Sequence, residues 1–344
     1  MKAELPGIDS HNRNGKKKVM KYLISGGCGF IGSNIVLDLL SRDNQILILD
    51  KMTYAANTQD LEESFNLRLI KCDISNMSQD ICDEIKKFKP DYLIHLAAES
   101  MVDRSLHNNR VFFETNVLGT WALLELMKGL ELRKAVFFST DETYGSLNLE
   151  GFERENPKFG FHINQKLDPH NPYAGSKAAA DQVTLSYIHN FKHPICIIRP
   201  TNNYGPRQHK EKLLPLSITN LLQGKKIPVY GQGQNFREWL YVDDTCSAVN
   251  KLLADGTPGG VYNVGSGKRH SNMEVLAQLC KTMNTSLNDS IQYVTDRHGH
   301  DLAYAVDSTS MLEMGWSPKI NLEEGLQKTV EWYRVNKSWW TPQI

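Results

Sequence analysis

Four glycines within seven residues constrain this chain more than any other feature. Gly26-Gly27-Cys28-Gly29-Phe30-Ile31-Gly32 follows an apolar run at 21–25 and opens an amphipathic stretch at 33–40. A strand that turns sharply into a helix needs residues able to take positive φ and to let backbones approach closely, and glycine supplies both. A second apolar run, 45–49, ends on Asp50, 18 residues after Gly32.

Strand, glycines, helix and terminal acid in that register read as a dinucleotide site. The pyrophosphate rests on the helix N-terminus, and the acid accepts hydrogen bonds from the adenosine ribose. An acid at this position repels a 2′-phosphate, so NAD is expected over NADP, a preference that neighbouring Lys51 weakens. The run taken alone is also compatible with a glycine-rich turn that binds nothing.

The rest of the first half supports the same architecture. Apolar runs at 68–71, 92–96, 135–138 and 195–198 are spaced widely enough to hold crossover helices. Near-continuous apolar strands alternating with helices signify a doubly wound parallel α/β sheet of Rossmann type. From about Asn202 the pattern changes to loops rich in Gly, Pro and Asn, with short strands at Tyr230, 261–264 and 291–294 and helices at 273–283 and 322–336. The expected organisation is a disordered basic tail at 1–18 and an NAD-binding domain at 19–201, with a return segment near 237–251. A smaller mixed α/β substrate lobe at 202–340 completes it.

The 39 basic and 39 acidic residues cancel, which gives no support for binding nucleic acid or an anionic membrane. No apolar run approaches the roughly 18 residues of a membrane span. The tail lacks the apolar core of a secretory signal. Six cysteines at 28, 72, 82, 196, 246 and 280 form no C-x-x-C pair, so a reduced, cytoplasmic protein without a metal site is expected.

Two further clusters could carry chemistry. Tyr173 and Lys177 are four apart at the start of a helix expected to run to about Asn190, which puts both on one face. A phenol with pKa near ~10 is a poor base at neutral pH. A neighbouring ammonium and an oxidised nicotinamide would both favour its ionised form. Such a pair is common as surface decoration and gains force from the glycine turn upstream. Ser139-Thr140-Asp141-Glu142 follows the strand at 135–138, at the carboxyl end of a sheet, where open α/β folds bind ligands. The two acids could form a solvated turn. If both face one cleft, repulsion leaves one protonated and one ionised, which suits an elimination needing both an acid and a base.

With these residues the chain resembles the extended short-chain dehydrogenase/reductases, and among them it is similar to the dTDP-glucose 4,6-dehydratases. The resemblance runs from about Lys21 to Trp340. It includes Ala97-Ala98-Glu99-Ser100, Val102-Asp103-Arg104-Ser105 and Thr115-Asn116-Val117-Leu118-Gly119-Thr120. It continues through Thr140-Asp141-Glu142 with Tyr144-Gly145, Asn202-Asn203-Tyr204-Gly205-Pro206, Glu211-Lys212-Leu213-Leu214-Pro215, Asp296-Arg297 and Gly299-His300-Asp301.

The resemblance implies that Tyr173 takes the sugar 4-hydroxyl proton while C4 passes its hydride to NAD. Glu142 then removes the C5 proton, Asp141 protonates the departing 6-hydroxyl, and the hydride returns to C6. Thr140 would hold the 4-hydroxyl, and Lys177 would orient the nicotinamide ribose and lower the tyrosine pKa. The implied cofactor contacts are Gly26, Gly29, Phe30, Ile31, Gly32, Asp50, Asp73, Ile74, Ala97, Thr115, Tyr173, Lys177 and Asn203. The implied contacts to a nucleotide-diphosphate hexose are Ser100, Thr140, Asn202, Lys212, Arg237, Asn272 and Arg297, although each arginine could equally be an ordinary surface residue.

Relatives pair into homodimers through the helices corresponding to 115–130 and 173–190, a pattern that core packing also explains. Met101, Pro200-Thr201 and Leu302-Ala303 depart from the family pattern. These departures put the substrate in question, with UDP-glucose or UDP-N-acetylglucosamine as alternatives to dTDP-glucose. A nucleotide-sugar 4-epimerase has no use for Asp141 and Glu142, and a non-catalytic NAD-sensing protein has no need of Tyr173 and Lys177.

Overall fold

The computed structural model describes residues 19–296 and 301–341. The expected tail at 1–18 and the candidate contact Arg297 lie outside the described residues. Two compact units emerge. Of the described residues, the first comprises 19–143, 171–199 and 246–262, and the second comprises 144–170, 200–245, 263–296 and 301–341.

The first unit follows the order β1 (Lys21–Ser25), α1 (Phe30–Leu40), β2 (Gln45–Asp50), β3 (Leu67–Lys71), α2 (Gln79–Phe88), β4 (Tyr92–His95), α3 (Val102–His107), α4 (Arg110–Phe113), α5 (Gly119–Met127), β5 (Lys134–Phe138), α6 (Pro172–Phe191) and β6 (Ile195–Pro200). From β3 to β6 every strand pair is parallel. Alternate strand residues Leu23, Leu47, Leu49, Leu93, Ala135, Phe137, Ile195 and Ile197 join one apolar cluster with Leu123, Leu124 and Ile188 from the helices. Their period of two is the pleat of a sheet covered by helices.

Helix boundaries follow local chemistry. Ser78 caps α2, Asp80 lies in its first turn, Lys86 and Lys87 lie in its last, and Lys89 closes it in the left-handed region at φ 52°, each favourable to the helix dipole or its unpaired end groups. Asn171 caps α6, and Pro172 occupies the first turn, where a missing N–H costs nothing.

The second unit contains β7 (Asn202–Tyr204), α7 (Leu213–Leu222), β8 (Ile227–Tyr230) and β9 (Phe236–Tyr241). The chain continues through α8 (Val242–Asp255), β10 (Val261–Val264), β11 (Arg269–Ser271) and α9 (Asn272–Thr282). The one-turn α10 (Leu287–Ser290), then β12 (Ile291–Val294), α11 (Thr309–Glu313), α12 (Leu322–Val335) and α13 (Lys337–Trp340) complete the order. Strand β10 adds to the large sheet at β6, giving the seven-stranded order β10-β6-β5-β4-β1-β2-β3. A three-stranded sheet, β11-β9-β7, and a two-stranded one, β12-β8, belong to the second unit. Its core gathers Tyr204, Trp239 and Tyr241 with Val275, Leu276 and Leu279 of α9 and Leu326, Val330 and Tyr333 of α12.

The division differs from the sequence expectation in two places. Residues 144–170 group with the second unit because Phe161 bridges Val306, Glu155 bridges Lys268, and the Leu147 N–H donates to the Ala303 carbonyl at 2.9 Å. The return to the first unit begins at Cys246, inside α8, rather than near 237. Residues 236–241 are instead β9, central in its own small sheet.

Candidate active site

The glycine turn has the close approaches that the sequence demands. Gly26 takes φ +75°, and a Cβ there would lie 2.5 Å from the Ala97 N. A Cβ on Gly32 would fall 2.1 Å from the Gly26 carbonyl oxygen, so this glycine lets α1 pack against the turn. Gly29 differs: a Cβ would meet only that same oxygen, at 3.4 Å, and otherwise open space. No side chain caps α1 and no acid lies in its first turn, so the N–H groups of Phe30, Ile31 and Gly32 have no intrahelical acceptor and suit an anion.

Asp50 ends β2 with Oδ2 accepting from the Cys28 N–H at 2.9 Å and Oδ1 from the Met52 N–H at 2.8 Å. These bonds fix the carboxylate and leave lone pairs for two hydroxyls. Asp73 accepts from Ser75 N at 2.9 Å and Ser75 Oγ at 2.7 Å and pairs with Lys51 Nζ at 2.6 Å. Burial would raise its pKa, but the lysine and serine hold its carboxyl below the usual range. Lys51, the residue expected to soften the preference for NAD, is therefore already committed to a carboxylate. The Ile74 side chain is buried in the core. Thr115 is buried in a short π-helical stretch, Glu114–Leu118, a local form often found at functional sites.

Thr140, Asp141, Glu142, Tyr173 and Lys177 come together where β5 ends beside the start of α6. Thr140 Oγ1 donates to Asp141 Oδ1 at 3.2 Å and accepts from the Glu142 N–H at 3.3 Å, and the same hydroxyl lies close enough to the Tyr173 phenol to favour its ionised form. Asn171 acts at both ends of its amide. Its oxygen caps α6 by accepting from Ala174 N at 2.9 Å, while its nitrogen donates to Glu142 Oε2 at 3.2 Å. The helix cap thus holds Glu142 beside the helix that carries Tyr173.

Burial raises the Tyr173 pKa well above that of a free phenol, and the charges of Glu142, Asp141 and Asp181 push the same way. Lys177 is pulled down to about 8 by burial, with Asp181 opposing. Its ammonium donates to the Phe138 carbonyl at 2.5 Å.

A cavity of about 520 Å³ is lined by Lys51, Thr53, Tyr54, Glu99, Arg104 and Phe112, among others. The Arg104 guanidinium stacks 3.6 Å from the Tyr54 ring centroid, and Phe112 meets the Tyr173 ring edge-on at 6.4 Å. Burial raises the Glu99 carboxyl pKa, partly offset by Lys51 and Arg104. Ala97 sits against the glycine turn, and Ser100 is exposed.

The remaining sequence candidates lie in the second unit. Asn203 Nδ2 donates to the Thr201 carbonyl at 2.9 Å, and its oxygen accepts from Thr245 Oγ1. Asn202 pairs with Trp239 in the β7–β9 register, and Lys212 precedes α7 as its N-cap. Asn272 begins α9, with its N–H on the Asn235 carbonyl at 3.1 Å. Arg237 is buried, donates to the Phe236 and Asp301 carbonyls at 2.8 and 3.0 Å, and lies 4.3 Å from the Tyr304 ring centroid. These contacts brace the backbone at 301–302 as well as placing a cation there.

Sequence reasoning missed several polar residues that hold this arrangement. Asn116 accepts from the Glu99 N–H at 2.9 Å and donates to the Glu99 carbonyl at 3.0 Å and Ser176 Oγ at 2.8 Å. His95 is enclosed between Ser25 Oγ at 2.7 Å and Thr120 Oγ1 at 2.9 Å. Because Thr120 already donates to the Asn116 carbonyl at 2.6 Å, Nε2 must carry the histidine proton and Nδ1 must accept from Ser25. Burial keeps the ring neutral, with its pKa pulled down to about 3. Among the described residues no group of three or more His, Cys, Asp or Glu could hold a metal, and no helix is long and apolar enough to cross a membrane.

Comparison with known proteins places this geometry. Residues 23–329 match the family described as GDP-mannose 4,6 dehydratase. A probable dTDP-glucose 4,6-dehydratase of Sinorhizobium fredii is 40% identical, over 94% of this chain and 95% of that protein. The dTDP-glucose 4,6-dehydratase of Streptomyces niveus is 39% identical, again over 94% and 95%. The crystal structure of DesIV, a dTDP-glucose 4,6-dehydratase from Streptomyces venezuelae solved with NAD bound, superposes with a TM-score of 0.86 at 38% identity, covering 94% of this chain and 99% of that one. The turn, the acids and the tyrosine–lysine helix thus belong to a member of the GDP-mannose 4,6-dehydratase family, within the extended short-chain dehydrogenase/reductases.

Proposed function

We propose that this protein is an NAD-dependent dTDP-glucose 4,6-dehydratase, a hydro-lyase that forms the 4-keto-6-deoxy sugar nucleotide. The observation that carries the reading is the convergence of Thr140, Tyr173 and Glu142 through the Asn171 cap, with Asp141 alongside. Bound NAD would supply a reversible hydride acceptor, held by the glycine turn, the first N–H groups of α1 and the Asp50 carboxylate. The chain's own groups move the protons. Tyr173 takes the proton of the 4-hydroxyl with Thr140 steadying both oxygens, Glu142 removes the acidified C5 proton, and Asp141 donates to the departing 6-hydroxyl. Ser100, Asn202, Lys212, Arg237, Asn272 and Arg297 are the proposed substrate contacts.

In the structure the phenol faces carboxylates and the Lys177 ammonium donates to a carbonyl, so Tyr173 rests protonated. A cationic ring seated beside it would favour ionisation. The test incubates the NAD-loaded enzyme with dTDP-glucose, UDP-glucose and UDP-N-acetylglucosamine and weighs the products. Loss of one water from the dTDP sugar supports the assignment. Water lost from a UDP sugar alone would move the substrate, as Met101 and Leu302-Ala303 allow. Isomerisation with every oxygen retained would replace the reading with a 4-epimerase.

We further propose a cytoplasmic homodimer. Leu118 and Trp121, on the stretch through which relatives pair, are 51% and 48% exposed, and all six cysteines are free thiols. Light scattering should give twice the chain mass, falling to one chain in Trp121→Asp.

A further inference from the structure

Asp181 follows Tyr173 and Lys177 along one face of α6, a further turn into the helix. It is 4% exposed, and three bonds converge on its Oδ2: from Ser139 Oγ at 2.9 Å, Arg199 Nε at 3.0 Å and Arg199 Nη2 at 2.9 Å. Ser139 is the residue between β5 and Thr140-Asp141-Glu142. One turn earlier on α6, Lys177 donates to the carbonyl of Phe138, the last residue of β5. Two neighbouring residues at the end of this strand are therefore gripped by two side chains one helical turn apart.

We propose that Asp181 is a positioning residue that clamps the Thr140-Asp141-Glu142 segment in register with Tyr173 and sets a negative charge beneath the Lys177 ammonium. The proposal rests on the dehydratase reading for its kinetic consequences but not for its geometry. A buried carboxylate is costly without compensation. Burial raises the Asp181 pKa, and Arg199, itself 3% exposed, Lys177 and Ser139 work against that cost. Ser139 alone would not require an acid, because an amide or a hydroxyl could accept the same bond. What an ionised group adds is its field at the lysine.

The groups facing Lys177 are few. Asp181 and Tyr173 share its helix, His95 approaches from β4 and is held neutral, and Arg199 on β6 stands behind Asp181. Asp141 and Glu142 lie across Tyr173. Burial already draws Lys177 down to about 8, and Asp181 is the neighbour that opposes it. Removing the carboxylate charge lowers the lysine pKa further, so the ammonium is lost at lower pH.

The test measures kcat and KM for dTDP-glucose against pH in the NAD-loaded wild type, Asp181→Asn and Ser139→Ala. In parallel, NMR of ¹³C-labelled lysine follows the Lys177 titration, which requires no turnover. In Asp181→Asn the Lys177 titration and the alkaline limb of kcat should both move at least about one pH unit lower. KM should stay within about threefold while kcat at pH 8 falls by roughly tenfold or more. Ser139→Ala should lower kcat while leaving the limb and the titration in place.

A folded Asp181→Asn whose Lys177 titrates as in the wild type overturns the proposal, whatever its kcat. If Asp181→Asn does not accumulate, Asp181→Asn/Arg199→Met removes both charges at once. The lost arginine charge opposes the lost aspartate charge, so the Lys177 titration should still move lower but by less than in the single variant, and an unmoved titration overturns the proposal. A wild type inactive on every nucleotide hexose would instead overturn the dehydratase reading and leave the lysine titration to decide the role of Asp181.

Discussion

Each unit buries an arginine–carboxylate pair, and the two pairs have different partners. In the first unit Arg199 and Asp181, 3% and 6% exposed at their side chains, connect β6 to α6 and reach Ser139 beside Thr140-Asp141-Glu142. In the second, Arg269 and Glu238 are fully buried 3.1 Å apart. Arg269 donates to the carbonyls of Asn156 and Phe159 at 2.7 Å each, and Glu238 accepts from the Gly267 N–H at 2.6 Å. Every one of those partners is backbone. The second pair stitches the 153–159 loop to β9 and β11, whereas the first reaches the Ser139 side chain, one residue before Thr140-Asp141-Glu142. A buried ion pair is by itself weak evidence of function, and the identity of its neighbours separates a brace from a device.

That contrast can be broken most easily at its largest effects. Glu142→Gln and Tyr173→Phe should each lower kcat by about 10²–10⁴-fold while the thermal midpoint stays put. Glu142→Gln should also abolish exchange of the C5 proton with solvent, read by mass spectrometry in deuterated water. Normal turnover in both variants would remove the chemistry from this end of the sheet.

Arg269→Met should do the reverse. Stranding the Glu238 charge should cost about 3–5 kcal/mol in denaturant unfolding, with kcat per folded molecule preserved. Arg269→Met/Glu238→Gln should recover most of the loss. A kcat defect in the folded variant would merge the two classes.

Gly32→Ala sharpens the comparison at backbone level. The added Cβ, 2.1 Å from the Gly26 oxygen, must push α1 off the glycine turn at a cost of about 1–3 kcal/mol. Weaker NAD retention should accompany it, measured on the purified variant.

The smallest effect is expected at His170, whose Nδ1 lies 2.6 Å from Asp301 Oδ1. Hydrogen bonding to Asp301 raises the imidazole pKa. A raised folded-state pKa contributes stability that is fully present below the unfolded value, ~6.5, and fades as pH rises through the folded one. His170→Gln should flatten that part of the stability profile, from about pH 6.5 upward through the raised folded value. An unchanged profile would show the pair to be inert.

Much of the first unit was legible because its signals are local. The glycine turn, the acid ending β2 and the apolar strands each depend on neighbours within a few residues. Tyr173 and Lys177 could be placed on one face from helical spacing alone. The double use of Asn171 was half legible: a residue before Pro172 at a helix start reads as a cap, but its grip on Glu142 spans 29 positions. His95 gave no signal at all, since a histidine ending an apolar strand reads as core until Ser25 and Thr120 close around it. In the second unit β9 reads as ordinary loop and return, because Phe236–Tyr241 mixes Arg237 and Glu238 into an apolar run.

By itself, the sequence determined the parallel sheet, the dinucleotide turn and the residue types available for proton transfer, since these rest on short-range periodicity and steric rules. Tertiary structure alone decided which charges are neutralised. Arg199 met Asp181 and Arg269 met Glu238 because burial makes an unpaired charge costly, and the chain supplied each partner from a distant position. The same physics set the protonation states that the site begins with, for desolvation acts only after the fold has excluded water.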